Sequence, residues 1–140
     1  MNLALAVKNA RLLAIADAAN AGADASNRAT LTFYADPMPA GADVALSGQL
    51  ELAVVDCPYP LEASIENGVM TLAAFEEVMA TAEGVATWAR LRDVAGTAVA
   101  DLTVGMEDEQ GNPTAAITIT QSQLYAGVIV DITEGVIVEA

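Results

Sequence analysis

Few residues in this chain could do chemistry. Nineteen carboxylates stand against five basic side chains, with one cysteine, Cys57, and no histidine. Two carboxylates flanking a sugar can hydrolyse a glycosidic bond. Among nineteen, some pairs fall close by chance, so their presence does not imply such a site. Sugar sites are also rich in aromatic rings, and this chain has one Trp and three Tyr. Without histidine, Ser-His and Cys-His catalysis cannot be assembled within the chain. Zinc, copper and haem lose their usual ligand as well. Cys57 precedes Pro58 and has no cation close in sequence, so it reads as a small apolar residue rather than a reactive thiol. The run Glu107-Asp108-Glu109-Gln110-Gly111-Asn112 resembles a calcium loop in composition only. An EF-hand loop spaces its oxygen ligands at alternate positions and closes with a glutamate, whereas these acids are consecutive. They read as a solvated hairpin tip. No phosphate-binding glycine loop, dinucleotide fingerprint or nucleophile elbow occurs. The expectation is a protein that is not an enzyme and takes no cofactor or metal.

One cluster stands out instead. Alternation along a strand puts Trp88, Arg90 and Arg92 on one face of a sheet. Trp and Arg are enriched where interfaces bind most tightly, and two arginines on one strand are conspicuous in so acidic a chain. These three are candidate partner contacts. The competing reading places Trp88 in the core and pairs the arginines with carboxylates such as Asp101 across a hairpin.

The elements that position this cluster follow from turn signals and periodicity. Asn2 to about Ala21 reads as a helix, with Asn2 as N-cap and Gly22 as the left-handed residue past its end. Its apolar stripe is blurred: Leu5, Leu12, Leu13 and Ile15 share a broad side, Lys8 and Asn9 intrude, and Leu3 and Val7 lie elsewhere. A helix apolar on more than one side often touches more than its own sheet. Leu3, Val7 and Arg11 therefore join the candidate contacts. Beyond the connector 23–28, β-prone runs alternate with turns. Val85 to Asp93 and Thr97 to Val104 form the clearest hairpin, while Glu76 to Thr81 is open between strand and helical turn. About eight strands predict a mainly β fold, a β-sandwich of jelly-roll type with an N-terminal helix. It is expected as one domain over 1–140, with the helix in 1–22 and the sandwich in 29–140.

Charge narrows the partners. The net charge of −14 disfavours nucleic acid and anionic membrane surfaces and favours proteins with basic patches. Asp17 interrupts the Leu12–Ala16 run too early for a signal-peptide core. The longest uncharged stretch, Gln110 to Val130, holds Gly, Asn, Pro, Thr and Gln and is no membrane helix.

The order of motifs carries a resemblance. A helix containing Asn9-Ala10-Arg11-Leu12 precedes the strand Leu31-Thr32-Phe33-Tyr34 and a Pro-rich loop. Then come Gly84-Val85-Ala86-Thr87-Trp88-Ala89-Arg90-Leu91-Arg92-Asp93, a glycine turn and Asp101-Leu102-Thr103-Val104-Gly105. Across nearly its whole length the chain resembles small virion proteins of tailed bacteriophages, and among them it is similar to capsid cement, or head-decoration, proteins. Two departures stand out: the Asp93-Val94-Ala95-Gly96 turn lacks the group's usual polar residues, and Glu107-Asp108-Glu109 is unusually acidic. The resemblance implies a homo-oligomer, a dimer or trimer, made in the host cytoplasm. It would sit on the outer surface of the phage head and bridge major capsid protein subunits. A neck, tail or fibre-attachment protein is the alternative. A carbohydrate-binding module is a third reading, with Tyr34, Tyr59 and Tyr125 as its possible platform.

Overall fold

The computed structural model describes residues 1–139 and is mainly β with one N-terminal helix, as expected. Helix α1 is Leu5–Asn20. The strands are β1 (Thr30–Tyr34), β2 (Glu51–Asp56), β3 (Glu62–Glu66), β4 (Val69–Leu72), β5 (Val78–Met79) and β6 (Gly84–Val85). They continue with β7 (Trp88–Arg92), β8 (Ala98–Gly105), β9 (Ile117–Ile119), β10 (Gln123–Leu124), β11 (Ile129–Val130) and β12 (Ile132–Val138). Eight of them form one sheet in the order β2-β1-β7-β8-β9-β12-β4-β3. The pairings are antiparallel except β8 with β9, which run parallel. A jelly roll would divide such strands between two antiparallel sheets; here hydrogen bonding is continuous across all eight. The sheet is curled. Leu52 and Val55 from one edge strand share a core cluster with Met70 and Leu72 near the other edge, as the two layers of a sandwich do.

Helix α1 starts later than the sequence suggests. Ala4 is its N-cap and makes no side-chain cap bond, so Asn2 does not cap it. Gly22, at φ +74°, follows the C-cap Ala21, where a left-handed residue closes the helix without a Cβ clash. Leu12, Ala16 and Ala19, spaced four and three apart, enter the core. Two polar residues of α1, Asn9 among those that blur the stripe and Asn20 at its end, are anchors. Asn9 Oδ1 accepts the Gly68 N–H at 2.8 Å, in the tight turn between β3 and β4. Asn20 Oδ1 accepts the Leu61 N–H at 2.9 Å, and its Nδ2 donates to Glu62 Oε2 at 2.9 Å.

The hairpin β7–β8 forms across the Val94-Ala95-Gly96 turn as read from the sequence. The open segment at Glu76 to Thr81 holds a short strand and no helical turn: β5 pairs with β11, and just beyond the segment β6 pairs with β10. Together these make an interrupted antiparallel ribbon of residues 78–86 and 121–130. No helix of the described residues is long and apolar enough to cross a membrane.

Candidate functional site

Two groups of residues were singled out as contacts, and the fold treats them oppositely. Trp88, Arg90 and Arg92 do share one sheet face. It is the face turned away from the main core, since Ala89 and Leu91 belong to the core cluster and Trp88 does not. Register brings cross-strand neighbours onto it: Tyr34 lies opposite Trp88, Thr32 opposite Arg90, and Asp101 opposite Arg90 on the other side. The Tyr34 and Trp88 rings stack with centroids 4.6 Å apart at 19°. The Arg90 guanidinium lies 5.5 Å from the Trp88 ring centroid and forms a two-pronged pair with Asp101, Nε to Oδ1 at 2.7 Å and Nη2 to Oδ2 at 2.9 Å. Its Nη1 donates to the Val44 carbonyl at 3.1 Å, so the irregular segment 36–50 crosses this face. Arg92 donates to Thr32 Oγ1 at 3.0 Å and Tyr34 Oη at 2.9 Å.

This layer is interior. Trp88 is 1% exposed and Arg90 4% exposed, so neither offers surface to a partner in this fold, against the expectation of an exposed contact. The cross-hairpin pairing with Asp101 is the arrangement present. The physical reason is the neighbourhood. A guanidinium supplied with a carboxylate, a carbonyl and an aromatic face has its hydrogen-bonding and charge needs met without water. The bond to Asp101 raises the Arg90 pKa, outweighing burial, which opposes it. Arg92 is half-buried.

The helix residues lie at or near the surface. Val7 is exposed, Leu3 is half-buried, and Arg11 pairs with Glu139 at 3.0 Å at the surface. Leu5 and Leu13 are also exposed, which leaves α1 with apolar side chains that the core does not cover. Because α1 joins the core cluster and Trp88 lies on the opposite sheet face, the two groups do not form one surface.

Sequence reasoning missed the ribbon. Met79, Val85, Tyr125, Val128 and Ile129 are all large, apolar or aromatic, and exposed on it. The signal was the uncharged stretch up to Val130, whose significance depended on knowing its pairing with residues 78–86.

The Cys57 thiol is buried and pushed up to about 12, chiefly by desolvation and then by the Asp56 carboxylate, so it stays protonated at neutral pH. It borders a cleft of about 370 Å³ with Arg28, Asp56, Tyr59 and Glu76. Arg28 is already engaged there, through Nη1 on the Cys57 carbonyl at 3.1 Å and Nε on the Asp24 carbonyl at 2.7 Å. The acidic turn is organised by its own side chain: Asp108 Oδ1 accepts the N–H groups of Gln110 and Asn112, both at 2.9 Å. Among the described residues, no three His, Cys, Asp or Glu side chains gather as a metal site would require. Compared with known protein families, curated proteins and solved structures, the chain matches none.

Proposed function

We propose that this chain is a structural interaction protein, a capsid cement protein that binds the outside of a phage head and bridges major capsid protein subunits. The observation that carries this reading is helix α1, where Leu5, Val7 and Leu13 lie exposed although Leu12, Ala16 and Ala19 already fill its place in the core, so that the helix offers apolar groups its own sheet does not cover. An amphiphilic helix surface of this kind gains binding energy by burying apolar area and needs no chemistry. The motif order in the sequence supports the phage context. A clamp repeated over a shell holds through many modest contacts acting together. The acidic remainder of the surface suits basic residues on the shell, and attachment driven by it weakens as salt rises.

The test is quantitative mass spectrometry of purified particles, counting this chain against the major shell protein. A ratio near one, or a simple fraction of it, is expected. A far smaller ratio moves the chain to the neck, tail or a fibre attachment, and absence from the particle removes the reading altogether. The carbohydrate-binding alternative loses one of its three tyrosines, because Tyr34 is buried against Trp88. Tyr59 and Tyr125 stay exposed, and no shared platform links them to Tyr34.

A further inference from the structure

Strand β2 is one edge of the eight-stranded sheet. The Cys57 N–H donates to the Ala29 carbonyl at 2.8 Å, and the register sets Thr30 opposite Asp56 and Thr32 opposite Val54. Bonded and unbonded pairs alternate along an antiparallel ladder, so the N–H and C=O of Val54 and Asp56 point away from β1, to the open edge. Among the described residues nothing bonds to them there. The notch they form has fixed ends. On one side the Leu52 carbonyl accepts the Thr81 N–H at 2.8 Å. On the other, the next residue of that phase is Pro58, which has no N–H, and Arg28 Nη1 sits on the Cys57 carbonyl at 3.1 Å. Residues 76–78 do not continue the pairing begun at Thr81. Glu76, Glu77 and Val78 instead face Val54 and Asp56 across a cavity of about 170 Å³, which shares Asp56 and Glu76 with the larger cleft bordered by Tyr59.

We infer that this notch receives an extended segment of another protein that carries lysine or arginine, added to the β2 edge as a short strand. Two independent features select that occupant. The free groups are main-chain donors and acceptors at strand spacing, which an extended backbone satisfies in alternation. The walls are carboxylates from both sides, Asp56 on β2 and Glu76 and Glu77 opposite, which favour cationic side chains beside that backbone. The one cation nearby, Arg28, is turned onto the Asp24 and Cys57 carbonyls. A second copy does not fit this description. Its cations lie on helix α1, as Lys8 and Arg11 do, or are bonded within their own fold, as Arg28, Arg90 and Arg92 are. It therefore has no free extended basic segment to offer. Carboxylates along an edge also deter pairing between copies of an acidic chain. Nucleic acid and anionic lipid are repelled by the same walls. Among the described residues no three acids gather to hold a bare metal ion. The inference rests on the strand edge and its charge and not on the phage reading.

The test is fluorescence anisotropy of a labelled, end-blocked decapeptide of alternating lysine and threonine, titrated with the full chain, with circular dichroism as the check on folding. Binding is expected at an ionic strength of about 0.05 M and weakens towards about 0.5 M, because salt screens opposite charges. The same peptide N-methylated throughout keeps its charges, loses its main-chain donors and binds at least roughly tenfold more weakly. Glu76→Gln with Glu77→Gln weakens binding about three- to tenfold. Glu107→Gln with Glu109→Gln makes the same change in net charge outside the notch and moves binding by less than about twofold. Val54→Pro removes one edge donor and weakens binding as well; if that variant does not fold, the two peptides and the two glutamate pairs carry the test. Absence of binding at the lower salt overturns the inference. So does equal binding of the N-methylated peptide, equal weakening by the two glutamate pairs, or equal binding of a peptide of alternating glutamate and threonine. None of these outcomes bears on particle composition, so this inference and the cement reading fail separately.

Discussion

The outer layer on β1, β7 and β8 and the ribbon of 78–86 with 121–130 are built from similar strands, yet they sort side chains in opposite ways. The first buries an arginine, an aspartate, a tyrosine and a tryptophan; the second leaves methionine, valine and isoleucine in water. The difference lies in what surrounds each group. In the first, Arg90 and Asp101 answer each other's charge and the segment 36–50 reaches over them through the Val44 carbonyl. In the second, no element among the described residues covers Met79 and Ile129, which stay 59% and 42% exposed. Hydrophobicity alone does not decide burial in this molecule; the availability of a covering element does.

If the first region is held by a matched buried pair, removing one member has the largest effect. Asp101→Ala leaves the Arg90 charge interior without a counter-charge, where each side chain is only 5% exposed. A loss of about 3–5 kcal/mol is expected in urea unfolding. The double variant Arg90→Met with Asp101→Leu removes both charges and recovers much of that loss, since an apolar pair of similar volume needs no compensation. Equal losses in the single and double variants would mean that the packing of these side chains matters and their charges do not.

A second buried group gives a pH signature that the exposed ribbon cannot. Burial and Asp56 raise the Cys57 pKa from 9.0 to about 12, so the fold favours the neutral thiol. Below pH 9.0 both folded and unfolded chains hold the proton and stability is independent of this group. Between 9.0 and about 12 the unfolded chain has lost the proton while the folded chain keeps it. Stability therefore falls as pH rises through that window, by up to about 1.4 kcal/mol per pH unit. Comparing wild type with Cys57→Ala across the window isolates this slope from other alkaline titrations. Parallel curves would show that the thiol is not shielded.

A smaller effect attaches to the helix anchors. Asn20→Ala removes the acceptor for the Leu61 N–H and the donor to Glu62, and a loss of about 1–2 kcal/mol is expected in thermal unfolding. An unchanged melting temperature would leave α1 held by Leu12, Ala16 and Ala19 alone.

Much of this contrast could be read from residue order, but only where it is local. The β7–β8 hairpin, and the shared face of Trp88, Arg90 and Arg92, follow from alternation across a glycine turn. Their burial does not, because it depends on Val44, forty-six residues before Arg90 in the chain. Alternation carried one step back from Trp88 would place Ala86 on the same face. The chain leaves the strand between β6 and β7, the phase shifts at Thr87, and Ala86 enters the core instead. Asn9 reads as a flaw in an apolar stripe, and Asn20 carries no signal at all, because their partners, Gly68 and Leu61, lie far along the chain. The ribbon was invisible for the same reason: β5 was ambiguous until β11 gave it a partner.

The smallest effect on stability is expected at Ile129, and it sharpens the comparison most. In the isolated chain its side chain projects from the ribbon into solvent beside Met79. Ile129→Glu should therefore change monomer stability by no more than about 0.5 kcal/mol, measured by urea unfolding at a concentration low enough to separate copies. If another copy covers the ribbon, the wild type gains stability at higher concentration by mass action and the variant does not. The diagnostic quantity is the concentration dependence of the unfolding midpoint. A midpoint that climbs with concentration in the wild type and stays flat in Ile129→Glu identifies the ribbon as a face completed by another chain. Loss of stability in the variant even at high dilution would instead make Ile129 part of the monomer's own packing, and the two regions would no longer differ in kind.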